Sequence, residues 1–208
     1  MIVSNKNKKL LTSNIFENNP VVCSLLGLCS SLAVTNSLKS SVLMSIMVTF
    51  SLIFSCLFIS LMKPFIEKSN RLIVQILSIS TIVILVIKIA ETYFPETCRE
   101  IGPYSGLIIT NCIIMGRIEA FALRSHFIPA VFDAAGSGAG YSLVICSVAI
   151  LREFLSQGKV AGVILLSEKE YLFEIFSRPS GAFFGLVLFL ALSNIIRKAY
   201  ISNREVYR

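Results

Sequence analysis

Apolar residues in this chain come as long unbroken runs, and short polar, basic intervals separate them. Residues 21–34 form a charge-free run of fourteen, shorter than the roughly 20 that cross about 30 Å of hydrocarbon, so they read as half a crossing. Residues 41–62 are twenty-two without a charge, a full span closed by a Lys63-Pro64 turn. Five serines speckle it, a density that suits helix packed on helix better than helix against lipid. A third span opens at Leu72 and continues past Lys88 to Phe94. After the polar interval ETYFPETCRE, residues 101–116 are again short and broken, with Gly102, Pro103 and Gly106 near the start and Thr110-Asn111 in the middle. Residues 134–151, led in by Pro129 and Asp133, make a fifth segment, and residues 179–196 a sixth. Between those two, residues 160–166 are too short to cross and are expected at the interface or in a loop.

Composition agrees with the pattern. The 208 residues are 55% hydrophobic and only 15% charged, with a mean hydropathy of +0.78, whereas soluble domains are about 25% charged. The pattern predicts an all-α integral membrane protein of six transmembrane helices. No cleavable signal peptide is visible, because residues 1–19 are polar and carry Lys6, Lys8 and Lys9 without an apolar core. The net charge of +7 does not point to nucleic acid, since the basic residues flank apolar runs and form no aromatic-interleaved stripe.

Each half opens with a short interrupted segment bearing a cysteine, Cys29 or Cys112, and continues with two longer ones. This reads as an internal duplication: tail 1–19, first unit 20–95, second unit 96–200, tail 201–208. Three crossings per unit make the second run in the opposite sense, an inverted repeat with half-helices at segments 1 and 4, which places a site where those halves meet. Lysine and arginine set the orientation. With the N-terminus cytoplasmic, twelve of them lie inside (Lys6, Lys8, Lys9, Lys63, Lys68, Arg71, Arg117, Arg124, Arg197, Lys198, Arg204, Arg208) and seven outside, so both termini are expected in the cytoplasm.

Candidate chemistry centres on Cys29 and Cys112. Each is followed four residues on by a small residue, Ala33 or Gly116, one helical turn away, which lets another backbone approach the sulfur. A zinc finger is excluded, because the six cysteines form no CxxC pair and His126 is the sole histidine. Cys23, Cys56 and Cys146 read as small packing residues, and Cys98 as a spectator in an external loop. If Cys29 and Cys112 are ligands, they bring two thiolates where a cysteine-held iron centre takes four. Either a second chain brings the others, with the metal at the interface, or Cys56 and Cys146 complete the set within the chain.

Four stretches carry a family resemblance: NNPVVCSLLGLCSSLAVT at 18–35, GLIITNCIIMGRIEAFA at 106–122, DAAGSGAGY at 133–141, and Arg152-Glu153. From Asn19 almost to its end the chain resembles the D subunits of sodium-translocating NADH:quinone reductases. It is also similar to the E subunits of Rnf electron-transport complexes, in which proline usually follows the first cysteine; Ser30 stands here. The resemblance implies a six-helix subunit of a bacterial inner membrane, paired with an oppositely oriented sister, the E subunit. Together the two would hold a [2Fe-2S] or mononuclear iron centre through the cysteines matching Cys29 and Cys112. It further implies a six-subunit complex with flavin-bearing subunits, relaying electrons from NADH toward quinone and exporting sodium. Alanine and serine at 134 and 137 depart from the family's usual glycine and asparagine, and Cys23 from a common glutamine.

Other motifs weigh less. GSGAG opens a membrane run and lacks the strand that a dinucleotide loop needs; Gly136 and Gly140 form GxxxG, read as helix packing. PSGAF at 179–183 is similar to the flavin-attachment motif of sibling subunits, but Phe183 stands at the threonine place, so no covalent flavin is expected. Asp133, Arg117 and Glu119 lie near segment ends, where charges are costly unless paired or wetted. Arg117 and Glu119, two apart, do not face each other, so partners from other segments are expected, as structural pairs or parts of a cation path. A non-redox transporter built on the same repeat stays as the competing reading.

Overall fold

A computed structural model of the chain describes residues 19–35, 37–67, 70–93, 95–157, 159–160, 163–164 and 179–206. The N-terminal tail to residue 18, residues 68–69, most of the fifth-to-sixth connection and residues 207–208, and with them Lys6, Lys8, Lys9, Lys68, Lys169, Arg178 and Arg208, lie outside the described residues.

Helices α1 (Pro20–Ser24) and α2 (Leu28–Val34) form the first broken segment; α3 (Leu38–Met62) and α4 (Arg71–Tyr93) are long. Then come α5 (Pro95–Ile101), a 3-10 turn (Gly102–Tyr104), α6 (Ser105–Ile109), α7 (Cys112–Arg117) and a π-helical turn (Ile118–Ala122). Helix α8 (Phe127–Gln157) is the longest, and α9 is Pro179–Val206. Apart from a two-residue antiparallel ladder, in which Lys159–Val160 pairs with Val163–Ile164, the described regular structure is helical. Among the described residues, Leu38–Met62, Arg71–Tyr93, Gly102–Ala122 and Phe127–Glu153 are long and apolar enough to cross a bilayer, and Phe183–Ile195 is a shorter apolar helix.

Local chemistry sets the breaks. Asn19 caps α1 by accepting from the Val21 amide at 3.0 Å, with Pro20 just inside, where a missing N–H costs nothing. Helix α1 ends because Leu25 and Gly27 both adopt left-handed backbone, φ 54° and 86°. The second break is made by Thr110, whose hydroxyl and amide both donate to the Gly106 carbonyl, and by Asn111, which caps α7 through the Ile113 amide at 3.2 Å. Ser37 caps α3, and Lys63-Pro64 tightens its far end into a 3-10 turn.

Three boundaries differ from the sequence pattern. Helix α8 begins at Phe127, not Ala134, because Pro129 falls in the first turn, where helical N–H groups have no partners to lose, and Asp133 is neutralised inside the helix. The fourth segment runs past Gly116 through Arg117 and Glu119 as a π turn, since both charges find partners on other helices. Cys98 is no loop residue: it lies on α5, 8% exposed.

Helix α3 packs along α8, and this pair is the spine of the fold. Ser41, Ser45, Ser51 and Ser55 are buried on α3, while Ile46, Phe50, Phe54 and Phe58, four apart, form an exposed apolar stripe. The small hydroxyls thus face the protein interior, and the aromatics face outward. Gly138 of α8 makes the close approach: a Cβ there would lie 2.6 Å from Thr49 Cγ2. The broken segments cross over, α1 onto α8 and α7 onto α3, while α2 meets α6 and α9, and α4 meets α6.

Candidate functional site where the two broken segments meet

Both cysteines sit in the first turn after a break, Cys29 second in α2 and Cys112 first in α7. The breaks touch: the Gly27 amide donates to Cys112 Sγ at 2.8 Å. Gly116, one turn beyond Cys112, makes room for this approach, since a Cβ there would lie 3.0 Å from Leu26 Cδ1. Cys112 is half-buried, whereas Cys29 is exposed. Ser30 and Ser31, the next two residues, are buried, so α2 turns its cysteine outward and its serines inward.

A second layer ties the residues beside the two cysteines together. Asn111 Nδ2, next to Cys112, donates to Ser30 Oγ, next to Cys29, at 3.2 Å. Tyr141 of α8 lies 2.6 Å from the same Ser30 oxygen and 3.5 Å from Asn111 Nδ2. The Tyr141 ring also backs Gly27, where a Cβ would stand 2.8 Å from Cε2, so only glycine combines that backbone angle with that neighbour. The Gly27 carbonyl accepts from the hydroxyls of Ser30, at 3.0 Å, and Ser31, at 2.8 Å.

The remaining charged candidates lie in two ion pairs. Arg117 donates to Asp133 through both Nε, at 2.9 Å, and Nη2, a two-pronged pair whose geometry suits guanidinium and carboxylate. Asp133 is 2% exposed. Glu119 instead pairs with Arg71 at 2.5 Å and accepts from Gln75 Nε2 at 3.1 Å, both from α4. The π turn separates these neighbours, sending one charge to α8 and the other to α4. Gly136 is buried, and the Gly140 carbonyl accepts from Asn19 Nδ2 at 3.1 Å.

An in-chain four-cysteine set is not assembled: among the described residues, no three His, Cys, Asp or Glu side chains gather as a metal site. All six cysteines are described and free. Cys56 is buried on α3, and Cys146 lies on α8 within reach of the Ser45 hydroxyl. The structure thus sets the break that carries Cys29 against Cys112, whose sulfur accepts a hydrogen bond from the Gly27 amide. Sequence reasoning missed Gly27, Tyr141, Asn19 and Gly138. Asn19 before Pro20 was a readable capping signal; Gly138 was masked by the GxxxG register of Gly136 and Gly140.

Fold and site define a multi-pass helical membrane protein in which two interrupted, cysteine-bearing segments meet inside the helix packing. Comparison with known proteins narrows the class. The chain belongs to the family of Rnf-Nqr subunit membrane proteins, which it matches over residues 7–190. It is similar to the D subunit of the Na(+)-translocating NADH-quinone reductase of Haemophilus ducreyi, 43% identical over 165 residues, 79% of this chain and 80% of that one. The D subunits of the same reductase from Pasteurella multocida (43% over 163 residues, 78% of each chain) and Yersinia pestis strain Pestoides F (41% over 166 residues, 80% and 79%) are similar to the same extent.

Proposed function

We propose that this chain is the D-type membrane subunit of a sodium-translocating NADH:quinone reductase. In this reading Cys29 and Cys112 supply two of the four thiolates of an iron centre, [2Fe-2S] or mononuclear, and the sister E subunit brings the other two. The observation that carries it is the Gly27–Cys112 contact, which joins the two cysteine-bearing breaks although 85 residues separate them. The outward position of Cys29 supports a ligand set completed from outside the chain. When bound, such a centre takes up and passes on electrons, at a potential set by hydrogen bonds to its sulfurs and by exposure. The chain's own part is to hold two sulfurs at fixed backbone positions, with the Gly27 amide on one of them.

Six crossings arranged as two inverted three-helix units belong to the same proposal. Its support is the order broken, long, long, which occurs twice. Reciprocal packing adds to it: the first broken segment packs on α8 and α9, and the second on α3 and α4. The basic-residue balance favours both termini in the cytoplasm of a bacterial inner membrane. Subunits with flavin and nucleotide sites complete the enzyme, so this chain alone is inactive toward NADH. Asp133, Arg117 and Glu119 act in structural pairs that join the fourth segment to α8 and α4.

The test is metal analysis and visible absorption of the purified complex. Cys29→Ser and Cys112→Ser are each expected to lower iron content and abolish the iron absorption while the complex still assembles. A metal-free complex that turns over NADH with quinone at the full rate overturns the reading and favours a non-redox transporter with packing cysteines.

A further inference from the structure

Tyr141 belongs to α8, and its hydroxyl stands at the point where the two breaks are tied. Each polar atom of this buried knot has a role that fixes the bond directions. Asn111 Oδ1 is occupied by the Ile113 amide, so its Nδ2 is the donor toward Ser30 Oγ and toward the Tyr141 oxygen. The single Ser30 proton goes to the Gly27 carbonyl. Ser30 Oγ therefore accepts from Tyr141, which in turn gives the buried phenol proton its partner. The chain of bonds runs Tyr141 to Ser30 to the Gly27 carbonyl, and the amide of that same glycine donates to Cys112 Sγ. The phenol thus reaches Cys112 through Ser30 and Gly27, and it anchors Cys29 through the adjacent residue.

We infer that Tyr141 is a positioning residue for the two cysteines: its hydroxyl locks the Gly27 turn and the Asn111 cap in one register, fixing the Cys29–Cys112 spacing and the amide on Cys112. This rests on the proposed function only in what the cysteines hold; the spacing itself is independent of any metal. Tyr141→Phe keeps the ring against Gly27 and removes only the hydroxyl. Ser30→Ala cuts the same link from its other end, and with it the Asn111 bond to Ser30 Oγ, leaving Asn111 its cap on α7.

The experiment uses the purified complex and has two arms. In the first, the iron is removed with a chelator and the rate at which dibromobimane bridges Cys29 and Cys112 is measured. The expected result is a rate lower by roughly fivefold in Tyr141→Phe, the factor set by one lost hydrogen bond, a larger loss in Ser30→Ala, which also frees Asn111 Nδ2, and a double variant no slower than Ser30→Ala alone, because the phenol acts through Ser30. In the second arm the untreated complex is titrated by electron paramagnetic resonance. Loss of a well-held amide on Cys112 is expected to shift the midpoint potential downward and broaden the signal. Wild-type bridging in Tyr141→Phe, additive losses in the double variant, or no bridging in the unsubstituted complex overturns the inference. A complex without an iron signal defeats the proposed function instead, and the bridging arm still decides the role of Tyr141.

Discussion

Gly138→Ala tests whether the α3–α8 spine is held at its present spacing by the absence of one methyl group. Alanine is the better helix former by about 1 kcal/mol, so on propensity alone the substitution stabilises. Against that gain, the new Cβ would stand 2.6 Å from Thr49 Cγ2, 2.9 Å from Oγ1 and 3.1 Å from Cβ. Thr49 cannot swing aside cheaply: its side chain is β-branched, and its hydroxyl donates to the Ser45 carbonyl at 2.7 Å. The helices must move apart by several tenths of an ångström, and overpacking of this kind costs about 1–3 kcal/mol. The net expectation is a loss of up to about 2 kcal/mol, which for a chain of this size lowers Tm by up to roughly 8 °C. Thermal unfolding in detergent measures it, followed by a maleimide dye that becomes fluorescent on reaching Cys56 once the exposed thiols have been blocked, because Cys56 is 2% exposed in the fold. In a Thr49→Ala background the two nearest contacts vanish, and Gly138→Ala is expected to become neutral or stabilising. If Gly138→Ala is harmful to the same degree in both backgrounds, Thr49 is not the obstacle and the reasoning fails.

Two further outcomes follow from the charges and from α5. Asp133→Ala leaves the Arg117 guanidinium, 17% exposed, without its carboxylate, and a broken buried pair costs about 3–5 kcal/mol; Arg71→Ala breaks a pair whose members are 44% and 41% exposed, worth under about 1 kcal/mol. The same dye assay should rank them in that order, and equal losses would refute the distinction. Burial, and secondarily the Glu91 carboxylate, push the Cys98 thiol above its ordinary value. Because only the thiolate is alkylated, the rate of Cys98 modification by iodoacetamide should rise at a higher pH than that of a free cysteine, and Glu91→Gln should lower that pH. A profile identical to free cysteine counts against the burial of α5.

The parts of this fold that were legible in the sequence are those that depend on runs of residues, because lipid imposes a length and a polarity on each crossing. Hence the broken first and fourth segments and the serine-bearing face of α3 could be read directly. Helix starts were misread where a tertiary partner changes what a residue costs: Asp133 reads as the lead-in to the fifth segment until Arg117 is beside it, and then it is an ordinary interior position of α8. The same reasoning covers Arg117 and Glu119, whose separate destinations are set by a π turn that no spacing rule announces. At the candidate site the cysteines stood out by their matching places, but their surroundings did not. Gly27, Ser30, Asn111 and Tyr141 come from three separate stretches, and each has a bland local reading as turn residue, packing serine, helix cap or buried aromatic. Their joint role exists only once α8 crosses the breaks, where a phenol finds a hydroxyl and a bare glycine in one place. In a membrane interior this convergence is also what the physics demands, since each break frees backbone groups that water cannot reach. The polar side chains that satisfy them are the same ones that fix where the sulfurs stand.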